Sequence, residues 1–342
     1  MKRLLVMLFM LVALSGCAQE RRAAPSAAAN TPTIVMPDNT ALPLQYWAPS
    51  SGQSPQAIVL GIHGFNDYAG GFSATANALT EQGIGVYAWD QRGFGSTGSR
   101  GRWPGTDTLV NDAGVVARAI KTQHPEQPFY LMGHSMGAAV TTLMLEQAPP
   151  IRIAGTILVA PAFWARRTMP WYQRWALWAG KQFTPWLTLT GEGLGIEPTD
   201  DPAVRAALAN DPYWIRDTRV DALAGVVDLM DSALRALPPR PAPPRTLLLF
   251  GLADQVIPQQ AACAMVKRYQ PQNGWHAAVY PSGYHMLTRY SGAEQTLSDL
   301  SHFVLQKSGP LPSGYEANYA QTRRTLCADA STPSSGLKKR IN

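Results

Sequence analysis

The stretch from Phe129 to Ala139, reading FYLMGHSMGAA, constrains this chain more than any other. An apolar strand runs into a small-residue helix start through Gly133-His134-Ser135-Met136-Gly137. A serine on so tight a strand-to-helix turn takes a strained backbone conformation. The residues two away on each side must therefore lack bulk, and Gly133 and Gly137 do. The helix that begins here directs its free amides and the positive end of its dipole at the serine. A bare G-x-S-x-G is common by chance. The strand before it and Ala138-Ala139 after it make this one specific.

A serine hydroxyl is a weak nucleophile and needs a base, which itself needs an orienting group. Behind an elbow of this kind the acid follows along the chain, then the histidine. Leu247-Leu248-Leu249-Phe250-Gly251-Leu252-Ala253-Asp254 reads as strand, glycine turn, aspartate. Val279-Tyr280-Pro281-Ser282-Gly283-Tyr284-His285 repeats the pattern with a histidine. Taken alone, Asp254 reads better as a turn aspartate, and His285 as a surface-loop histidine. Order, spacing and strand context together favour a triad of Ser135, Asp254 and His285. The other histidines compete poorly: His134 is inside the elbow, His124 precedes a proline, His276 starts a strand and His302 lies in a helix. The developing oxyanion needs two preset donors. Met136 N–H, next to the nucleophile, is one. Phe65 N–H, in the turn His63-Gly64-Phe65 after the first central strand, is the other, with His63 pinning that loop.

Around this core, apolar runs and helical stretches alternate. A hairpin is expected around Pro37-Asp38-Asn39, between Thr33–Val35 and Leu42–Trp47. Strands follow at Ala57–Ile62, Ile84–Trp89, the elbow and Ile153–Val159. Helices are expected over Phe72–Gln82, Thr106–Gln123 and from the elbow to Gln147. From Phe163 to about Pro239 the pattern is helical and rich in Trp and Pro. Alternation returns with Thr246–Phe250, a helix Pro258–Tyr269, the strand Trp275–Tyr280 and a last helix Ala293–Gln306. The fold class is α/β, a mostly parallel central sheet flanked by helices. A helical cap over 163–238 is inserted after the sixth core strand, and the core comprises 33–162 and 239–306. The tail, 307–342, is expected to be loosely ordered, with Lys338-Lys339-Arg340 at its end.

The N-terminus carries a second message. Lys2 and Arg3 precede an apolar run, Leu4 to Leu14, too short to span a bilayer comfortably. Leu14-Ser15-Gly16-Cys17 resembles the bacterial lipobox, which implies removal of residues 1–16 and lipidation of Cys17. A plain secretory peptide is the alternative. Ala18, not aspartate, then points to the outer membrane of a cell that has one. Residues 17–32, rich in Ala, Ser and Pro, read as a flexible tether. With Cys17 lipidated, Cys263 and Cys327 remain. In an oxidising compartment they form a disulfide clipping the tail to the core, or stand as two unrelated thiols. With 46% hydrophobic and 15% charged residues the chain is globular, which argues against a disordered or nucleic-acid-binding protein.

Taken together, His63-Gly64-Phe65, Asp90-x-Arg92-Gly93-x-Gly95-x-Thr97, Gly133-His134-Ser135-Met136-Gly137, Ala160-Pro161, Gly251-x-x-Asp254 and Gly283-x-His285 resemble the monoglyceride lipase / lysophospholipase branch of the serine α/β-hydrolases. The resemblance covers roughly residues 56 to 306. It implies hydrolysis of one acyl ester on glycerol or a lysophospholipid through an acyl-enzyme. It implies a helical cap over the serine and neither metal nor cofactor. Other acyl hydrolysis (a short-chain esterase, thioesterase or aminopeptidase-like enzyme) is the alternative within enzymes. A lipoprotein using a dead site to bind lipid is the alternative outside them.

The cap bears on partners. Trp164, Trp171, Trp175 and Trp178 share a face if their segment is one helix, with Arg167, Arg174 and Lys181 recurring every seven residues beside them, but Met169-Pro170 breaks that helix or starts a second one. The first expectation is that these tryptophans pack on the core and line an acyl pocket. The second is contact with a lipid headgroup region, where Trp beside Lys and Arg is favoured.

Overall fold

The structure, a computed structural model, describes residues 31–147, 151–191, 195–240, 242–269 and 274–328. The signal segment, Cys17, nearly all of the tether and Lys338-Lys339-Arg340 lie outside the described residues.

The chain opens with the antiparallel pair β1 (Thr33–Val35) and β2 (Ala41–Trp47). Next come β3 (Ala57–Ile62), a 3₁₀ turn over Ala69–Phe72, α1 (Ser73–Glu81) and β4 (Ile84–Trp89). Then come α2 (Thr106–Gln123), β5 (Phe129–His134), α3 (Met136–Gln147) and β6 (Gly155–Val159). Every residue of β3, β4 and β6 is buried. That is why these strands read as continuous apolar runs: a parallel sheet covered on both faces has no wet side.

The inserted segment contains α4 (Trp171–Phe183), β7 (Thr188–Thr190), α5 (Pro202–Asn210), β8 (Asp217–Arg219) and α6 (Val220–Ala236). The segment is not wholly helical as expected. β7 and β8 pair antiparallel over three residues each, too short to leave an alternating pattern in the sequence. The core resumes with β9 (Thr246–Gly251), α7 (Gln259–Arg268), β10 (Trp275–Tyr280), α8 (Ala293–Val304) and α9 (Tyr319–Cys327).

The main sheet runs in the order β1-β2-β4-β3-β5-β6-β9-β10. β2 is antiparallel to β4, and from β4 to β10 every neighbour is parallel. Side-chain alternation sorts each strand between two cores. Ile58, Leu60 and Ile62 of β3 join Leu109, Val116, Leu143 and Met265 on one face. Ala57 and Val59 join Phe72, Leu79, Leu300 and Phe303 on the other. Full burial of each such large aliphatic or aromatic side chain stabilises by about 1.5–3 kcal/mol. α6 lies against α3, so the insertion is founded on the same layer that carries the elbow.

Two expectations need correction. The tail is folded through residue 328. Ala277 O accepts from Ala317 N–H at 2.9 Å, Ala278 bridges Glu316, and α9 starts with a capping box between Asn318 and Gln321. Cys263 and Cys327 are disulfide-bonded, and Leu326 beside them is buried. The tail has no long apolar period because cap, crosslink and a few buried side chains hold it. The cap tryptophans also differ. Trp164 is half-buried against the core, and the helix begins only at Trp171, after Pro170. Trp171, Trp175 and Trp178 are 71%, 62% and 52% exposed, so they do not pack on the core.

Candidate active site

At the elbow, Ser135 sits at φ 54°, in the left-handed region that L-residues avoid. The surroundings over-determine that strain. Ser135 N–H donates to Val159 O at 2.9 Å, while its carbonyl accepts from Ala138 N–H at 3.0 Å and Ala162 N–H at 3.2 Å. A Cβ on Gly137 would lie 1.9 Å from Ile62 O, so only glycine lets α3 approach the end of β3.

The turn after β9 carries Asp254 and the turn after β10 carries His285. The two turns touch: Gly283 O accepts from Ala253 N–H at 3.0 Å, and a Cβ on Gly251 would lie 2.1 Å from that same oxygen. His285 Nδ1 lies 2.8 Å from Asp254 Oδ2, and His285 Nε2 lies 2.9 Å from Ser135 Oγ. Asp254 Oδ1 accepts from Val256 and Ile257 N–H at 2.8 and 2.9 Å. Burial works against ionising Asp254. The His285 charge and hydrogen bond, with these amides, outweigh it and hold the carboxyl below its ordinary range. Ser135 and His285 are 8% and 5% exposed, so the reacting atoms are shielded from bulk water. An ionised acid, an oriented imidazole and a hydroxyl in line can move a proton off Oγ as it attacks a carbonyl.

Phe65 and Met136 amides donate to no protein acceptor among the described residues. Met136 is the first residue of α3, where an N–H has no intrahelical partner. Phe65 lies in the turn Gly64–Asp67, closed by Asp67 N–H donating to Gly64 O at 3.2 Å. The side chain of Phe65 packs edge-on to Phe94 and tilted on Trp103. His63 braces the turn: it is buried, its Nε2 accepts from Gln91 N–H at 3.0 Å, and its Nδ1 faces Gly64 O at 2.8 Å. The Asp90-to-Thr97 turn braces it further, since Asp90 Oδ1 accepts from Ala69 N–H at 2.9 Å.

Two residues beside the site do more than the sequence marks: His134 reads there only as part of the elbow, and Arg289 is not singled out. His134 Nε2 lies 3.2 Å from His285 O. Desolvation, with the His285 and Arg289 charges nearby, pushes His134 down to about 3. The ring is therefore neutral at ordinary pH and donates from Nε2, holding the His285 loop. Arg289 pairs with Asp67 at 2.5 Å, joining that loop to the Phe65 turn. No local signal marks the second pair, because its members are 222 residues apart.

Comparison with known proteins shows the family and the fold. A family model described as Hydrolase_4, serine aminopeptidase S33, matches residues 53–290. The chain is 31% identical to rat monoglyceride lipase over 131 residues, 38% of this chain and 42% of that protein. It is 26% identical to the monoacylglycerol lipase of Mycolicibacterium smegmatis over 269 residues, 76% of this chain and 91% of that one. Among solved structures, a soluble variant of the Saccharomyces cerevisiae monoglyceride lipase in complex with a substrate analog superposes with a TM-score of 0.69. Identity there is 18%, covering 86% of this chain and all (100%) of that one.

Proposed function

The chain belongs to the serine aminopeptidase S33 (Hydrolase_4) family, and from that premise we propose that it hydrolyses single fatty-acyl esters of the monoacylglycerol type. The observation that carries the reading is the unbroken line Asp254, His285, Ser135, with two unengaged amides beside the serine. Ser135 Oγ attacks the ester carbonyl as His285 Nε2 takes its proton. Phe65 and Met136 N–H hold the oxyanion. Collapse of the tetrahedral intermediate expels the glycerol oxygen, which His285 protonates. Water, deprotonated by His285, then attacks the acyl-enzyme and frees the fatty acid and Ser135. Monoglyceride and monoacylglycerol lipases among the relatives support an acyl-glycerol substrate. The test is a turnover panel at equal concentration. It compares long- and short-chain monoacylglycerols, a lysophospholipid, a thioester and an aminoacyl amide. Long-chain monoacylglycerol should lead by at least about tenfold in kcat/KM. A preference for the aminoacyl amide would overturn the reading.

The same reading places the enzyme on a membrane of the cell envelope, tethered through lipidated Cys17 and touching the bilayer with its cap. The exposed aromatic run Trp171, Trp175, Trp178, Phe183 and Trp186 supports cap contact. Cys17→Ala should release the protein from membranes into the soluble fraction. Retention at the wild-type level would count against the anchor.

A further inference from the structure

The turn that presents the Phe65 amide is not shaped by the core alone. Gly64 to Asp67 form a four-residue turn, and its third residue, Asn66, sits at φ 64°. That position of a type II turn demands a left-handed residue, which glycine supplies freely and asparagine tolerates. Here the inserted segment holds Asn66 on both sides. Asn66 Nδ2 donates to Thr218 Oγ1 at 2.7 Å, and Asn66 O accepts from Ile215 N–H at 3.0 Å. Thr218 is buried in β8, 152 residues further along the chain. Its partner strand, β7, follows directly on the exposed aromatic run. The residue next to the oxyanion amide is thus clamped by the cap rather than by its own loop.

We propose that Asn66 is a positioning residue, through which the cap strand carrying Thr218 sets the orientation of the Phe65 amide in the transition state. The proposal rests on the esterase reading above. The amide lies in the peptide plane between Gly64 and Phe65, one residue from Asn66, so a displacement of Asn66 carries Phe65 with it and re-aims that amide. Oxyanion donors act only when preset, and deleting one costs about 10²–10³ in kcat. Misaiming one should cost less.

The experiment uses the full-length chain with a soluble short-chain ester, so that lipid contact plays no part. The variants are Thr218→Val, Thr218→Ser, Asn66→Gly and Arg205→Ala. Thr218→Val removes the acceptor and leaves the Asn66 backbone untouched. Its kcat should fall about tenfold at unchanged KM, with a matching loss of affinity for a trifluoromethyl-ketone transition-state analogue. Thr218→Ser restores the hydroxyl and should recover kcat to within about twofold. Asn66→Gly keeps the left-handed turn but lacks the clasp, and should fall as Thr218→Val does. Arg205→Ala loosens the cap away from Asn66, where Arg205 Nη1 donates to Glu197 Oε1 at 2.5 Å. It should keep kcat within about twofold. Full kcat in folded Thr218→Val and Asn66→Gly would overturn the clasp. So would an equal loss in Arg205→Ala, which would mean general loosening of the cap. An inactive wild type would instead refute the esterase reading, so the two failures are distinct.

Discussion

His134 occupies the variable position of the elbow, yet its ring does specific work. It is neutral because charging it would place a cation without water beside His285 and Arg289. An unfolded chain would protonate this ring near its ordinary value of 6.5, the folded chain only at about 3. Between those values the unfolded state binds more protons, so stability is fully present above pH 6.5 and drains away as pH falls toward 3. Thermal melts of the wild type should lose midpoint steadily over that window, and melts of His134→Gln should lose less. Equal slopes for both would show that His134 does not set the acid limit. Gln in place of His134 can still donate to His285 O, so this variant separates the proton from the hydrogen bond.

At the scale of elements, what the sequence disclosed depended on how each element is held. β3, β5 and β9 were legible as apolar runs because both of their faces are covered. The turns after β9 and β10 were legible because glycine had to be there for Asp254 and His285 to meet. α9 left no period to read. It is held by the Asn318–Gln321 capping box, the Cys263–Cys327 bond and buried Leu326 and Thr322. The crosslink closes a separation of 64 residues, for which chain-entropy arguments give about 4 kcal/mol. Reductant should therefore lower the melting midpoint of the wild type and expose sites within residues 309–328 to protease. Cys327→Ser should already behave as the reduced protein. An identical midpoint with and without reductant would mean that α9 docks unaided. The tryptophan segment divides at Met169-Pro170, where the sequence marks a break. Pro170 starts α4 late, so Trp164 belongs to the segment before it and the remaining rings turn outward.

For the whole molecule, three distant parts of the chain meet at one serine: the Phe65 turn, the elbow, and the paired Asp254 and His285 turns. Sequence motifs and their order singled out all three. They could not reveal the ties between them, Asp67 to Arg289 and Asn66 to Thr218, whose members lie 222 and 152 residues apart. The outward aromatic face gives the molecule a side. In a Cys17→Ala background, Trp175→Ser with Trp178→Ser should weaken partitioning onto phospholipid vesicles by about tenfold or more. Turnover of a soluble ester should stay unchanged. Undiminished vesicle binding would remove the cap from the membrane contact.

The most direct test of the central claim is covalent labelling with a fluorophosphonate probe, wild type beside Ser135→Ala. The phosphonyl group reacts with a serine only where base and oxyanion donors already activate it. We expect rapid labelling of the wild type, none of the folded Ser135→Ala variant, and parallel loss of long-chain ester turnover. A folded wild type that takes no label, or equal labelling of Ser135→Ala, would contradict a working Ser135–His285–Asp254 site.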